Sequence, residues 1–106
     1  MALHHATHGE KLHLPSVSDV AGARKAALVK TDAFEAAQLL LRAGDSIASH
    51  AVRGYATIYC IEGAVHLHCG EDIRVQAGDW LYLDRGQEHS LSAIEDSSLL
   101  LTILFE

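Results

Sequence analysis

A chain of 106 residues that is 49% apolar and carries a single proline is long enough for one self-supporting core and too apolar for wholesale disorder. Its formal net charge of -6 excludes nonspecific nucleic-acid binding, which needs clustered Lys and Arg. No run approaches the roughly 20 apolar residues of a membrane-spanning helix, so neither a nucleic acid nor a membrane is expected as partner.

The N-terminal stretch MALHHATHGEKLHL has no basic segment followed by a continuous apolar run, the signature of a secretory leader. Cys60 and Cys69 sit in apolar, strand-like runs, and the chain is read as cytoplasmic with two free thiols. Residues 1–22 are read as a partly ordered arm and residues 23–106 as one domain. The arm holds His4, His5, His8 and His13, while Gly9 and Pro15 oppose a long helix, so these histidines are read as solvated. Residues 10–14 are expected to form a short edge strand ending at Pro15, and residues 16–22 a loop.

Residues 24–30 and 33–43 are alanine-rich, so helix competes with strand. Strands are favoured, because the segments are short, Thr31-Asp32 reads as a turn and Ala43-Gly44-Asp45 carries hairpin chemistry. Residues 55–61 and 64–69 flank Glu62-Gly63, which reads as a two-residue hairpin connection. That register sets Cys60 opposite Val65, Ile58 opposite Leu67 and Ala56 opposite Cys69, an apolar and thiol face that should point to the core. Tyr59, Thr57, His66 and His68 take the other face. Cys60 and Cys69 would lie roughly 13 Å apart along the ladder, beyond the reach of a disulfide. His66 and His68 share a face at a spacing a metal can use on a strand, and are read first as solvent- or subunit-facing.

Residues 72–76, 80–83, 89–94 and 99–105 read as further strands separated by polar turns. Within Trp80-Leu81-Tyr82-Leu83 alternate residues face opposite ways, and the pattern leaves open which pair looks inward. About eight to ten short strands with regular turn signals indicate an all-β sandwich or barrel.

Two spaced sets of residues carry a resemblance. Gly44, His50 and Gly63 match a first motif, G-x5-H-x-H-x3,4-E-x6-G, and Gly78, Gly86 and His89 match a second, G-x5-P-x-G-x2-H-x3-N. These motifs resemble those of the cupin family. The resemblance implies a double-stranded β-helix, or jelly roll, with a pocket at the barrel mouth, in small single-domain proteins that are usually homodimers. It implies four metal ligands, of which only His50 and His89 have counterparts here. Val52 stands at the second histidine position and Ala56 at the carboxylate position, and neither binds a metal. Asp84 replaces the motif proline and Ala93 the motif asparagine.

Two imidazoles fall short of the three protein ligands of a catalytic zinc, or the two histidines and carboxylate of a non-haem iron. Cys69 by its register, or Glu88 or Gln87 from the loop before His89, are the substitutes the sequence offers. The expectation is therefore a small-molecule pocket with no assured cofactor, lined by His50, Val52, Ala56, Ile58, Cys69, Tyr82 and His89. The alternative is a metal-dependent enzyme, oxygenase- or isomerase-like, holding Zn, Fe, Mn or Ni through His50 and His89. The serines lie in no nucleophile-elbow context, and no glycine-rich phosphate loop is present.

Overall fold

The computed structural model describes residues 5–51 and 53–105 and, apart from one short 3-10 turn at Val17–Asp19, its regular structure is all strand. The strands are β1 (Arg24–Lys30), β2 (Phe34–Leu41), β3 (Ser46–Ala51), β4 (Tyr55–Glu62), β5 (Ala64–His68), β6 (Asp72–Gln76), β7 (Trp80–Leu83), β8 (Glu88–Ala93) and β9 (Ser97–Leu104). They form a five-stranded sheet ordered β1-β2-β9-β4-β7 and a four-stranded sheet ordered β3-β8-β5-β6, with every pairing antiparallel. This is the expected jelly roll. No helix among the described residues is long and apolar enough to cross a membrane.

Alternation builds the core. Leu39 and Leu41 of β2, Ala56, Ile58 and Cys60 of β4, and Leu99, Leu101 and Ile103 of β9 point from the five-stranded sheet. Val65 and Leu67 of β5, Val75 of β6, and Leu91 and Ala93 of β8 meet them from the other sheet. Residues two apart on a strand share a face, so one apolar stripe per strand closes a two-layer core. The alanine-rich region obeys the same rule: β1 and β2 are strands, and β2 supplies Leu39 and Leu41 to the interior while β1 pairs along its edge.

One expectation is corrected. β4 and β5 do not pair, because Glu62-Gly63 carries the chain from one sheet to the other. Cys60 pairs with Leu99 and Glu62 with Ser98, while Ala64 pairs with Gln76 and Val65 with Ala93. The faces read from the sequence are nevertheless those observed, because alternation dictates which side a residue takes and not which strand lies beside it. Ala56 and Ile58 therefore look across the core toward the facing sheet, with Leu83 and Ile103 as the ladder partners of Ala56.

The crossing is tightly seated. Gly63 adopts φ +81°, and its carbonyl accepts a hydrogen bond from Ala77 N–H at 3.1 Å. The fully buried Ser97 hydroxyl oxygen accepts from Ala64 N–H at 3.1 Å. Beside this crossing, Asp96 ties the β2–β3 turn to the β8–β9 loop. The Ala43 N–H, at 3.0 Å, and the Arg42 guanidinium, at 3.2 Å, hold its carboxyl below the usual range.

The expected edge strand over residues 10–14 is absent; that segment is irregular. Proline leaves Pro15 no N–H for a ladder, and side chains anchor the arm instead. Ser16 Oγ and Val17 N–H donate to the Glu62 carboxylate, each at 2.9 Å, and Gln38 Nε2 donates to the Pro15 carbonyl at 3.0 Å. The segment thus lies over the outer face of β2, where Gln38 and Leu40 are each 1% exposed. β3 is a strand the sequence pattern did not single out, and β8 and β9 begin one and two residues earlier than expected.

Two predictions follow from this core. A Cβ on Gly63 would strike the Asp96 carbonyl oxygen and the Ser97 hydroxyl and stand 2.8 Å from Ser97 Cα, in a backbone region that side chains disfavour. Gly63→Ala should therefore cost about 2–4 kcal/mol in denaturant unfolding, and a loss under about 0.5 kcal/mol would contradict the tight crossing. Cys60 is wholly buried and its thiol is pushed up, first by burial and then by the Asp79 charge. Its thiolate fraction at pH 8 is thus lower than in a free cysteine, so iodoacetamide should label half-buried Cys69 well before Cys60. Peptide mapping that found equal rates would refute this.

Candidate functional site

The site lies between the sheets. β8 brings in His89, 2% exposed, with ring Nδ1 3.2 Å from the Gln87 carbonyl oxygen. A carbonyl only accepts, so this contact keeps the proton on Nδ1 and makes Nε2 the lone-pair nitrogen of the neutral ring. His50 of β3 is the direct ladder partner of His89, so the two motif histidines, 39 positions apart in sequence, meet on adjacent strands as expected.

His89 is one wall of a cavity of about 80 Å³. Leu39, Ile47, Ile58, Leu91 and Leu101 supply apolar walls, and Lys25 lines the same space. The cavity shares Lys25, Leu39 and Ile47 with a more open groove of about 420 Å³, which is also lined by Arg24, Asp45 and Ser46. Lys25 pairs with Leu39 across β1 and β2, so it stands on the inward face of the sheet at its edge while remaining exposed. The Arg24 Nε is buried with no hydrogen-bond partner among the described residues. An apolar interior thus opens through a mouth bearing the cationic Lys25.

Of the seven residues expected at the pocket, Ile58 and His89 line it. Ala56 is wholly buried in the adjoining core. His50 is placed by its backbone alone, and Val52 lies outside the described residues. Two expectations are corrected. Tyr82 faces outward: it is 52% exposed while Leu83 beside it is 4% exposed, its ring stacks on Tyr55 at 6.1 Å, and its hydroxyl donates to Asp84 at 2.9 Å. Leu81 and Leu83 are the inward pair of β7. Cys69 is not beside Ala56, because β4 and β5 belong to different sheets; it packs half-buried against the core and is not a cavity wall. Asp84, in place of the motif proline, accepts from Arg85 N–H at 2.8 Å and from Tyr82, and these bonds hold its carboxyl below the usual range.

The donors do not fit the family's metal cage. Ala56 has no donor atom and Val52 is an aliphatic residue. No group of three or more His, Cys, Asp or Glu able to hold a metal occurs among the described residues. Lys25, Leu39, Ile47, Leu91 and Leu101 are the cavity residues that sequence reasoning missed. Lys25 is one of three basic residues in β1, and only its pairing with Leu39 reveals that it faces the cavity.

No curated protein matches the sequence. Among solved structures, the fold is similar to a conserved protein of unknown function from Streptococcus pyogenes, at 20% identity and TM-score 0.81, covering 100% of this chain and 98% of that one. A cupin superfamily protein from Desulfitobacterium hafniense is similar at 15% identity and TM-score 0.82, covering 98% of this chain and 100% of that one. KdgF from Halomonas sp. is similar at 21% identity and TM-score 0.71, covering 82% of this chain and 83% of that one. These likenesses speak to fold. The cupin-domain family model matches residues 37–105, spanning β2 to β9 and both histidine motifs, and the chain belongs to the cupin family.

Proposed function

We propose that this cupin is a binding module for a small organic anion, a carboxylic acid with an apolar body. The observation that carries this reading is the pairing of apolar walls with cationic Lys25 and the His89 imidazole around one cavity. A volume of about 80 Å³ is far below the 300–1,000 Å³ of a drug-sized pocket, so only the small apolar end of a ligand enters. The rest occupies the groove, where Lys25 neutralises its charge. Charged partners with hydrogen bonds add specificity that the leucine walls cannot supply.

The reading is tested by thermal shift and calorimetry with short-chain and aromatic carboxylates beside their neutral amides. A true ligand at about 100 times its dissociation constant should stabilise the fold by about 2.7 kcal/mol. Lys25→Met, which keeps the stem and removes the charge at an exposed site, should weaken that ligand about tenfold. Equal binding of acids and amides, or no loss in Lys25→Met, would defeat the proposal. The metal-enzyme alternative makes the opposite forecast: stoichiometric metal in untagged protein, lost on His50→Ala and His89→Ala alike.

The proposal extends to self-association in a cytoplasmic homodimer. Trp80, Tyr82, Tyr59 and Leu104 are 62%, 52%, 40% and 43% exposed, on strands joined through β4 by the pairs Tyr59 with Trp80 and Tyr55 with Leu104. They form one apolar patch beside edge strand β7, which suits an isologous contact with a second copy. Sedimentation should give a dimer that Trp80→Lys converts to monomer; a monomeric parent protein would refute it.

A further inference from the structure

The outer face of the four-stranded sheet carries a different chemistry. His66 and His68 alternate outward on β5, and their rings stack with centroids 6.1 Å apart and planes inclined by 20°. Asp72, the ladder partner of His68 on β6, hydrogen-bonds His68 Nδ1 through Oδ1. Across β8 the histidines face Ser92 and Ser90, and Arg74 is opposite His66. This face is separate from the cavity, and nothing in the pocket reading uses it.

We infer that His66 and His68 form a surface site for a divalent late transition-metal ion, with Asp72 orienting His68 from behind. Three features support it. The two imidazoles project from one strand face, one residue intervening. The Asp72 carboxylate only accepts, so it keeps the His68 proton on Nδ1 and presents Nε2 as the donor atom, the carboxylate–histidine–metal arrangement that raises ligand basicity. The rings are also already near the spacing of a chelate. A zinc–nitrogen bond of about 2.0–2.1 Å and a tetrahedral angle place two ring centroids about 5 Å apart. The observed 6.1 Å then needs a closure of only about 1 Å. Both residues are exposed, so side-chain rotation achieves this without moving the sheet. Imidazole selects zinc, copper or nickel over magnesium and calcium, and water completes the coordination. Asp72 offsets the unfavourable charge of Arg74 beside His66.

The test uses the full chain with His4, His5, His8 and His13 each changed to Gln, which removes the competing histidines of the arm. Zinc ion is titrated by calorimetry, and the imidazole nitrogens are followed by NMR. The resonances of His66 and His68 should shift together to a one-to-one end point. That transition should disappear in a His66→Gln, His68→Gln double variant and persist in His89→Gln. Asp72→Asn should weaken it by about 10–100-fold. An isotherm unchanged in the double variant, or movement of one ring alone, would overturn the inference. His66, His68 and Asp72 are all exposed, so loss of binding on their substitution is separable from loss of fold by circular dichroism.

Discussion

Everything in this protein depends on two sheets sharing one apolar interior, and the shortest of the chain's passages between them, from β4 to β5, is made at a single glycine. Gly63 and the buried hydroxyl of Ser97 hold that crossing, with the Ala64 backbone satisfied by a side chain where ladder pairing changes hands. Buried backbone groups must find partners, and here the corner supplies them locally. Because β4 and β5 then face each other across the core, Ile58 looks toward Leu91 and His89 instead of lying beside Leu67. The cavity exists only in that arrangement; a β4–β5 hairpin would have closed the space into one sheet.

Where the cupin motifs have four donors, this sequence has His50 and His89, with Val52 and Ala56 at the other two positions. His89 donates Nδ1–H to the Gln87 carbonyl, and around it the walls are leucine and isoleucine. Charge has moved outward to the mouth, where Lys25 sits on the inward face of an edge strand. An inward-pointing lysine also discourages edge-to-edge association, so one residue serves both the solubility of the sheet and the chemistry of the entrance.

Much of this was legible in the sequence, and for identifiable reasons. Ala56, Ile58 and Cys60 against Val65 and Leu67 announce their buried faces by period-two alternation alone. His50 and His89 announce their convergence through two motifs whose glycines mark turns. The partner of β4 was not legible, because Glu62-Gly63 has the same residues whether it closes a hairpin or steers a crossing. Tyr82 and Leu81 were equally apolar candidates for the interior, and only the register of β7 beside β4 decides between them, by setting Leu81 against inward Ile58. Lys25 escaped notice because a strand written Arg-Lys-Ala-Ala-Leu-Val-Lys gives no hint of its inner side until Leu39 is laid against it.

The two outer faces differ in kind: aromatic residues on the five-stranded side, histidine, serine, aspartate and arginine on the four-stranded side. In a two-fold assembly joined through the aromatic side, the imidazole pairs end up at opposite poles, pointing away from each other. Given the dimer and the surface metal site proposed above, such a particle would be bivalent: each pole would take its own ion, and two weak attachments to a dense metal-bearing support would gain strength by local concentration without any change in either pole.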